Sequence, residues 1–137
     1  MKINLKTVGY SFINKPLLIG GKAKEYYGIR KSGEDTDLVV SKSDYQGLAE
    51  KFPSYKKDIF GDLGIVKDGF EIWQTICYFD YEYLSQGAIE NDDHLIITLE
   101  KLLFLTALGM KKEKYHKDLE LIVQKILSLQ TEKHSTP

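Results

Sequence analysis

Residues 17–40 read LLIGGKAKEYYGIRKSGEDTDLVV and decide most of the fold. The stretch opens with an apolar run, turns at two glycines, continues through a mixed segment and ends in a second apolar run. Short apolar runs of this kind are consistent with buried strands, and the segment between them is long enough for a short helix and a loop. We therefore predict a strand from Leu17, a helix over 22–28, a loop over 29–34 and a strand from Asp37.

Two aspartates stand at the start of the second strand. Asp35 and Asp37 are two residues apart, so on a strand both side chains leave the same face, with α-carbons roughly 6 to 7 Å apart. Carboxylates so placed repel each other, and a divalent cation between them relieves the repulsion. Mg²⁺ binds a few carboxylate oxygens together with phosphate oxygens and water, so the pair predicts a metal site that a nucleotide completes.

The two glycines supply a second feature suited to an anion. Gly20 and Gly21 permit a tight turn and a close approach of backbone N–H groups, and the start of the helix that follows, at Lys22, favours phosphate. The common nucleotide fingerprints are absent, because Ala23 stands where a P-loop needs Ser or Thr and the chain has no G-x-G-x-x-G. The stretch therefore predicts a phosphate-binding turn of another kind.

Arg30 lies in the loop before the acidic strand. A guanidinium in this place can hold a triphosphate. An equally supported alternative is that Arg30 pairs with Glu34 or Asp35 and only fixes the loop.

The combination of these motifs is more specific than each one alone. A Gly-Gly pair after an apolar strand, thirteen residues, then Asp-x-Asp entering an apolar strand resembles the signature of the nucleotidyltransferase superfamily related to DNA polymerase beta, especially its minimal members. The resemblance covers residues 16–126, and segments 97–103 and 117–122 resemble the C-terminal helical region of small relatives. It implies an α/β (α+β) fold with a mixed β-sheet flanked by helices and followed by C-terminal helices.

The resemblance also implies a third acidic residue on a later strand. We assign it to Glu71, because Asp68-Gly69 predicts a hairpin turn and residues 70–78 are rich in strand formers. Asp68 and Asp62 are the alternatives if the strand register differs. The implied catalytic and metal-binding residues are Asp35, Asp37 and Glu71, with Mg²⁺ or Mn²⁺ as cofactor, and the implied nucleotide-binding residues are Gly20, Gly21, Lys22, Arg30 and Ser32.

Two positions depart from the pattern of those relatives. Thr106 stands where they often carry Lys, and Gly21 stands where they frequently carry Ser. Both differences concern catalysis more than the fold.

The implied activity is transfer of a nucleoside monophosphate from a nucleoside triphosphate to a hydroxyl of a small molecule, protein or RNA. The alternative is a non-catalytic or partner-dependent protein of the same fold, such as one component of a toxin–antitoxin pair that binds a small helical protein. We expect no large acceptor-binding domain, because the minimal relatives lack one and 137 residues leave little room for it.

Composition favours a single domain. The chain has 137 residues, and its 19 Lys and Arg nearly cancel its 20 Asp and Glu, so no long-range field draws it to nucleic acid or an acidic membrane. Cys77 is the only cysteine, which excludes an intramolecular disulfide and indicates a reducing compartment; we expect a buried, inert thiol. The chain shows neither a signal-peptide pattern nor an apolar stretch long enough for a membrane, so we expect a cytoplasmic protein with no membrane partner.

The rest of the chain is assigned from periodicity and capping residues. We expect one domain over residues 1–130 and a frayed tail over 131–137. The expected elements are a first helix over 1–14, a helix capped by Ser43 or Asp44 and ended near Phe52, a hairpin of 58–67 with 70–78, a helix over 81–88, a polar loop over 90–94, an edge strand over 95–97, a helix from a Thr98 cap to Gly109, and a last helix carrying the apolar positions 115 to 129, packed across the sheet.

Other residues of chemical interest have a simpler explanation. Trp73, Tyr78, Tyr81 and Tyr83 could form a base-stacking surface, but aromatic residues of a strand and the helix after it are more often core. Polar side chains at 92–94, and His116 near Asp118, are more consistent with exposed positions than with a metal site or a proton-transfer pair. The lysines at 111–114 indicate a solvated helix start, with phosphate contact as the alternative.

Overall fold

The computed structural model describes residues 3–59 and 61–135. Its strands are β1 Leu17–Ile19, β2 Thr36–Val39, β3 Lys56–Ile59, β4 Asp62–Lys67, β5 Phe70–Trp73, β6 Thr75–Ile76, β7 Phe79–Asp80, β8 Ile89–Glu90 and β9 Leu95–Ile96. Its α-helices are α1 Gly20–Tyr26, α2 Lys42–Lys51, α3 Tyr81–Leu84, α4 Leu99–Leu108 and α5 Lys114–Ser135. Short 3₁₀ turns cover Leu5–Val8 and Pro53–Tyr55.

The described strands form one mixed sheet and a small separate hairpin. Seven strands of the described ranges follow the order β3-β4-β5-β2-β1-β9-β8, and β6 pairs with β7 alone. β2 runs parallel to β5 and β1 parallel to β9, whereas the other pairings are antiparallel. The predicted α/β fold, with a mixed sheet flanked by helices, is confirmed.

The central strands of the sheet contribute much of the hydrophobic core. All three residues of β1 are buried, and Leu38 and Val39 of β2 are fully buried beside them. Ile72 of β5 is also fully buried. Continuous apolar runs of this kind are typical of strands that are covered on both faces. The two apolar runs identified in the sequence are therefore adjacent central strands.

The N-terminal prediction was wrong. Within residues 3–14, only Leu5–Val8 is helical, and it is a 3₁₀ turn; residues 1 and 2 lie outside the described ranges. Asn4 caps this turn and Gly9, with φ of +77°, ends it. The mixed spacing of apolar residues reflects a segment that wraps over the core. Two boundaries near the site also shift, since α1 begins at Gly20 and β2 at Thr36.

The predicted long hairpin is divided into shorter elements. Residues 58–67 belong to β3 and β4, joined by a turn at Gly61 (φ +96°); Phe60 lies outside the described ranges. β5 ends at Trp73, as the chain leaves the sheet to form β6 and β7. The predicted Asp68-Gly69 turn is present, with positive φ at both residues, as a type I′ hairpin requires.

Cys77 lies in the turn between β6 and β7. Both residues of this turn, Cys77 and Tyr78, have positive φ (+49° and +74°), which gives the tight primed turn favoured in hairpins. The Cys77 side chain is exposed. The prediction of a buried thiol was therefore wrong, because it assumed that β5 continued through residue 78.

The C-terminal half follows the prediction in kind but differs in extent. Thr98 caps α4 and Gly109 ends it, as predicted. α3 ends at Leu84, and β9 is an interior strand because β8 pairs with its outer side. α5 continues to Ser135, so residues 131–135 of the predicted frayed tail are helical, whereas 136–137 lie outside the described ranges. α5 packs mainly on α4 rather than across the sheet.

None of the helices in the described part of the chain is long and apolar enough to cross a membrane.

A buried carboxylate holds the N-terminal segment. Ser41, rather than Ser43 or Asp44, caps α2. Asp44 is fully buried, and its carboxylate accepts hydrogen bonds from the backbone N–H groups of Ile13 and Asn14 (2.8 and 2.9 Å) and from the Tyr10 hydroxyl (3.0 Å). Charged acceptors make stronger hydrogen bonds than neutral ones, so Asp44 replaces the expected first helix as the anchor of this segment.

We expect Asp44→Asn to lower the free energy of unfolding by about 2 kcal/mol, because the amide nitrogen cannot accept the bonds that one carboxylate oxygen now accepts. Urea denaturation measures this change. Asp92→Asn is the control, since Asp92 is exposed, and it should change stability by less than about 0.5 kcal/mol. Equal effects of the two substitutions would show that Asp44 is not an anchor.

Candidate functional site

Two of the predicted carboxylates lie side by side on neighbouring strands. In the parallel pairing of β2 with β5, Asp37 is directly opposite Glu71. Residues so paired project from the same face of the sheet. The predicted proximity of Asp37 and Glu71 is therefore present in the structure, and Ile72 points to the opposite, fully buried side.

The Asp37 carboxylate is in an unusual electrostatic environment. Its Oδ1 atom is buried and has no hydrogen-bond partner among the described residues. Burial, then the charge and hydrogen bonding of Glu71, then the charge of Asp35 raise the pKa of Asp37 to about 7, although Lys24 acts in the opposite direction. Such perturbed carboxyl groups in a cavity are typical of functional sites.

Gly20 lies against this carboxylate. Its φ is +66°, and a Cβ atom at this position would overlap Asp37 Oδ2. Only glycine combines this backbone conformation with so close an approach. Gly20 thus brings the β1–α1 turn into contact with Asp37, on the strand that pairs with β1.

Asp35, which was predicted to bind a metal together with Asp37, does not lie beside Asp37 in the cavity. It precedes β2 and is exposed, and the described lining of the nearby cavity does not include it. Its charge still raises the pKa of Asp37. The structure therefore makes Asp37 and Glu71 the close pair and places Asp35 outside them.

The alternatives to Glu71 have other contacts. Asp68 lies in the β4–β5 turn and pairs with Lys67 at 2.7 Å. Asp62 lines the cavity, and its carboxylate accepts bonds from Thr75 Oγ1 (3.4 Å) and the Cys77 backbone N–H (3.1 Å). Glu71 is the residue opposite Asp37.

Three predicted nucleotide-binding residues support the loop before β2. Lys22 Nζ lies 3.4 Å from Ser32 Oγ and donates to the Gly33 carbonyl at 3.0 Å. Ser32 donates from its backbone N–H and its hydroxyl to Glu25 Oε1. A Cβ at Gly21 would only make ordinary contact, at 3.6 Å, with the same loop. The described cavity lining includes none of Gly21, Lys22 and Ser32.

Arg30 binds neither of its two predicted partners in the loop. Its guanidinium forms two hydrogen bonds to the Asp118 carboxylate, 2.7 Å from Nε and 3.0 Å from the second amino nitrogen. The alternatives of pairing with Glu34 or Asp35 were therefore wrong. The physical reason is that α5 brings a carboxylate with matching geometry to the same place, and a two-pronged pair is stronger than a surface contact.

Lys24 is a functional candidate that the sequence did not indicate. Its side chain is 3% exposed, and Nζ lies 2.9 Å from Asp118 Oδ2 and 4.9 Å from the centre of the Tyr115 ring. Lys24 also lines the cavity with Asp37. Burial lowers the pKa of Lys24, and Asp118 opposes that shift. Lys24 and Asp118 are 94 residues apart, so no local pattern could have linked them.

The cavity beside the carboxylates has a volume of about 420 Å³. Its polar part contains Gly20, Lys24, Asp37, Asp62 and Glu71. The α4–α5 connection adds Lys111 and Lys112 to the lining. The remaining lining is mostly apolar and comes from the sheet (Ile19, Ile59, Trp73), from β6 (Ile76) and from α4 (Leu102, Leu105, Leu108).

Other groups considered in the sequence do not form a second centre. His94 uses Asp93 (2.6 Å) and Asn91 (3.2 Å) within its own exposed loop. His116 contacts the Met110 carbonyl, in agreement with the prediction that it does not pair with Asp118. Within the described ranges, no group of three or more His, Cys, Asp or Glu is arranged to hold a metal ion.

The four aromatic residues do not form a shared stacking surface. Trp73 is 9% exposed and lines the cavity. The Tyr81 hydroxyl donates to the Lys15 carbonyl, whereas Tyr78 is 98% exposed on the β6–β7 turn. Tyr83 packs with Phe79. The prediction that these aromatics are core residues therefore holds for Trp73 and the half-buried Tyr81, and it was wrong for Tyr78 and Tyr83, which are exposed.

No protein-family model matches the sequence, and no curated protein is significantly similar to it.

The ion network of Lys24, Arg30 and Asp118 predicts a specific loss of stability. We expect Asp118→Asn to lower the free energy of unfolding by about 3 kcal/mol, because it leaves the buried Lys24 ammonium without its anionic partner. Glu120→Gln is the matched control on α5, since Glu120 is exposed and pairs with Lys117 at 3.7 Å; it should change stability by under about 0.5 kcal/mol.

The same carboxylate predicts a pH dependence. Burial alone would raise the pKa of Asp118, but hydrogen bonds from Arg30 and Lys24 outweigh it and the net pKa is lowered. A lowered folded-state pKa contributes stability above the unfolded value of about 4, and this is lost as the pH falls through the folded-state value. Urea midpoints measured below pH 4 should fall more steeply for the parent protein than for Asp118→Asn; parallel curves would contradict the assignment.

Proposed function

We propose that this protein is a metal-dependent nucleotidyltransferase, which transfers a nucleoside monophosphate from a nucleoside triphosphate to a hydroxyl acceptor. The observation that carries the proposal is the parallel register that sets Asp37 opposite Glu71 and against Gly20, in a cavity that also contains the buried cation Lys24. Such a cavity combines carboxylates for a cation with positive charge for phosphates.

The donor set fits Mg²⁺ or Mn²⁺ bound together with a nucleotide. Mg²⁺ is usually held by one or two carboxylates plus substrate phosphates and water, rather than by a closed protein shell. Asp37 supplies one carboxylate, and its Oδ1 atom is buried and unpartnered among the described residues. Asp35 would add a second, outer carboxylate, and Glu71, opposite Asp37, would remain free to act as a base. When bound, the cation would stabilise negative charge on the phosphate oxygens.

The chain's own groups have separable roles in this proposal. Lys24 places positive charge in the cavity, where burial strengthens its attraction for phosphate oxygens. Gly20 lets the backbone of the turn approach the phosphates beside Asp37. Gly21, Lys22, Arg30 and Ser32 hold the turn and loop in place and act on the nucleotide only through them, in contrast to the direct contacts first assigned.

The proposed chemistry follows from these positions. The acceptor oxygen attacks the α-phosphorus of the nucleoside triphosphate. The bond between the α-phosphorus and the oxygen that bridges it to the β-phosphorus breaks, and pyrophosphate leaves. Glu71 takes the acceptor proton, since it borders the open cavity beside Asp37. We place the protein in the cytoplasm, where a reducing environment would keep its single thiol reduced.

A partner-dependent protein of the same fold is the second candidate. It is favoured by one observation, that Val123 and Leu127, one turn apart on α5, are 40% and 54% exposed. Apolar pairs at this spacing can pack against a partner helix. A small helical antitoxin or toxin would fit such a surface.

Substitution of each carboxylate tests the enzyme proposal. Asp37→Asn should weaken Mg²⁺-dependent binding of a nucleoside triphosphate by roughly 100-fold, since loss of a ligand costs at least as much as loss of a ligand's supporting contact. Glu71→Gln should retain binding and lose transfer by roughly 100-fold or more, because the acceptor proton is taken only as the reaction proceeds. Isothermal titration calorimetry and release of labelled pyrophosphate measure the two effects.

Stability distinguishes this role from a structural one. Asp37→Asn should also raise the free energy of unfolding by about 1 kcal/mol, because it removes a buried carboxylate that repels Glu71. Asp92→Asn, an exposed control, should alter neither binding nor transfer. Unchanged triphosphate binding by a folded Asp37→Asn variant would refute the proposed site.

A further inference from the structure

The apolar part of the cavity continues directly from the carboxylates. Trp73 follows Glu71 by two residues on β5, so both side chains project from the same face. The antiparallel partner of Trp73 is Gly64 on β4. A Cβ at Gly64 would lie 2.6 Å from Ile59 Cδ1, which shows that Ile59 lies across the glycine beside Trp73. Because glycine has no side chain, this position leaves space for Ile59 beside Trp73 on the apolar face of the sheet.

Helix α4 forms the facing wall. Leu102 and Leu105 both line the cavity and are three residues apart, so they project from one face of the helix. Thr106, on the same face, bonds its hydroxyl to the Leu102 carbonyl at 2.8 Å and presents mainly its methyl group. The slot between sheet and helix is therefore mostly apolar on both sides, and the charged group of its sheet side is Asp62, whose carboxylate accepts bonds from Thr75 and Cys77.

The size and composition of this slot restrict its occupant. The whole cavity, at about 420 Å³, lies within the range of small-molecule sites. An inorganic polyphosphate would satisfy the polar part but leave the apolar walls facing water. A nucleotide joins a charged phosphate chain to a planar base, and aromatic side chains accept any base on their faces.

We propose that the apolar slot formed by Trp73, Ile59 and α4 binds the base of the nucleoside triphosphate, with Trp73 as the contact residue. This inference rests on the proposed function for the position of the phosphates. The substrate is then a nucleotide that is bound through both its base and its phosphates. A polyphosphate or an aliphatic diphosphate would be bound through its charge alone.

The sequence provides two reporters of this slot. Trp73 is the only tryptophan and Cys77 the only cysteine of the chain, and both line the cavity. Tryptophan emission therefore reports only on the slot, and alkylation of the exposed Cys77 thiol reports on access to it.

The test uses adenosine, ATP with Mg²⁺, tripolyphosphate and geranyl diphosphate as probes. Adenosine and ATP should change Trp73 emission and slow alkylation of Cys77 by iodoacetamide, by about tenfold at ten times the dissociation constant. Tripolyphosphate should compete with ATP yet leave both signals unchanged. The inference is overturned if adenosine gives neither signal, if tripolyphosphate gives both, or if geranyl diphosphate displaces adenosine at lower concentration than ATP does.

Substitution of Trp73 gives the matched comparison. Trp73→Leu should need roughly tenfold or more adenosine or ATP to protect Cys77, whereas Trp73→Phe should bind nearly as the parent does, because base–aromatic contact contributes about 1 to 3 kcal/mol. Circular dichroism melting confirms that each variant is folded. Equal protection in the Leu and Phe variants would overturn the assignment of Trp73.

The two proposals fail in different ways. In the parent protein, Mg²⁺ should make the affinity for ATP higher than the affinity for adenosine. Asp37→Asn should lose this difference in affinity and still bind adenosine. If adenosine binds as expected and no acceptor is modified, the transfer activity fails and the base site stands. If Asp37-dependent transfer occurs with an unchanged KM for ATP in Trp73→Leu, the base site fails and the enzyme proposal stands.

Discussion

The parallel pairing of β2 with β5 is the constraint on which the site depends. Its register places Asp37 opposite Glu71 on one face, and a slip by one residue would turn one of these carboxylates into the core. Leu38 and Ile72 are fully buried on the other face. They fix that register, because any shift by one residue would move these apolar side chains out of the core. The hydrophobic core therefore holds together two like charges that would otherwise separate.

Helices α1 and α5 supply the charged residues beside this pair of strands. Asp118 on α5 binds Lys24 on α1 and Arg30 in the loop before β2, so one buried carboxylate orders three segments. Such a network contributes little net stability once desolvation is counted, but it allows a charged side chain to remain buried next to the cavity. Position, more than stability, is what this network provides.

The result is a cavity with two chemical characters. Carboxylates and the Lys24 ammonium occupy the part near Gly20, and the walls around Trp73 and α4 are mostly apolar. The close packing of Gly20 on Asp37 and of Gly64 under Ile59 shows how two glycines make room for this arrangement. A ligand that carries both phosphate and an apolar planar group suits these surfaces better than one with either alone.

The sequence by itself determined the mixed α/β class, the two central strands, the turn at Asp68-Gly69, and the caps of α4. It also indicated Asp37 and Gly20, because apolar runs, turn residues and the spacing of charges are local features of the chain. Glu71 was indicated by the resemblance, which implied a third acidic residue, together with the hairpin turn before it. Only the tertiary structure decided that Asp35 is exposed, that Arg30 binds Asp118, that Lys24 is buried in the site, and that Cys77 is exposed. These outcomes depend on which distant segments meet: α5 reaches α1 across 94 residues, and β5 stops at Trp73 to form a new hairpin. Local propensity carries no record of such contacts, since they follow from how the assembled elements fill the core.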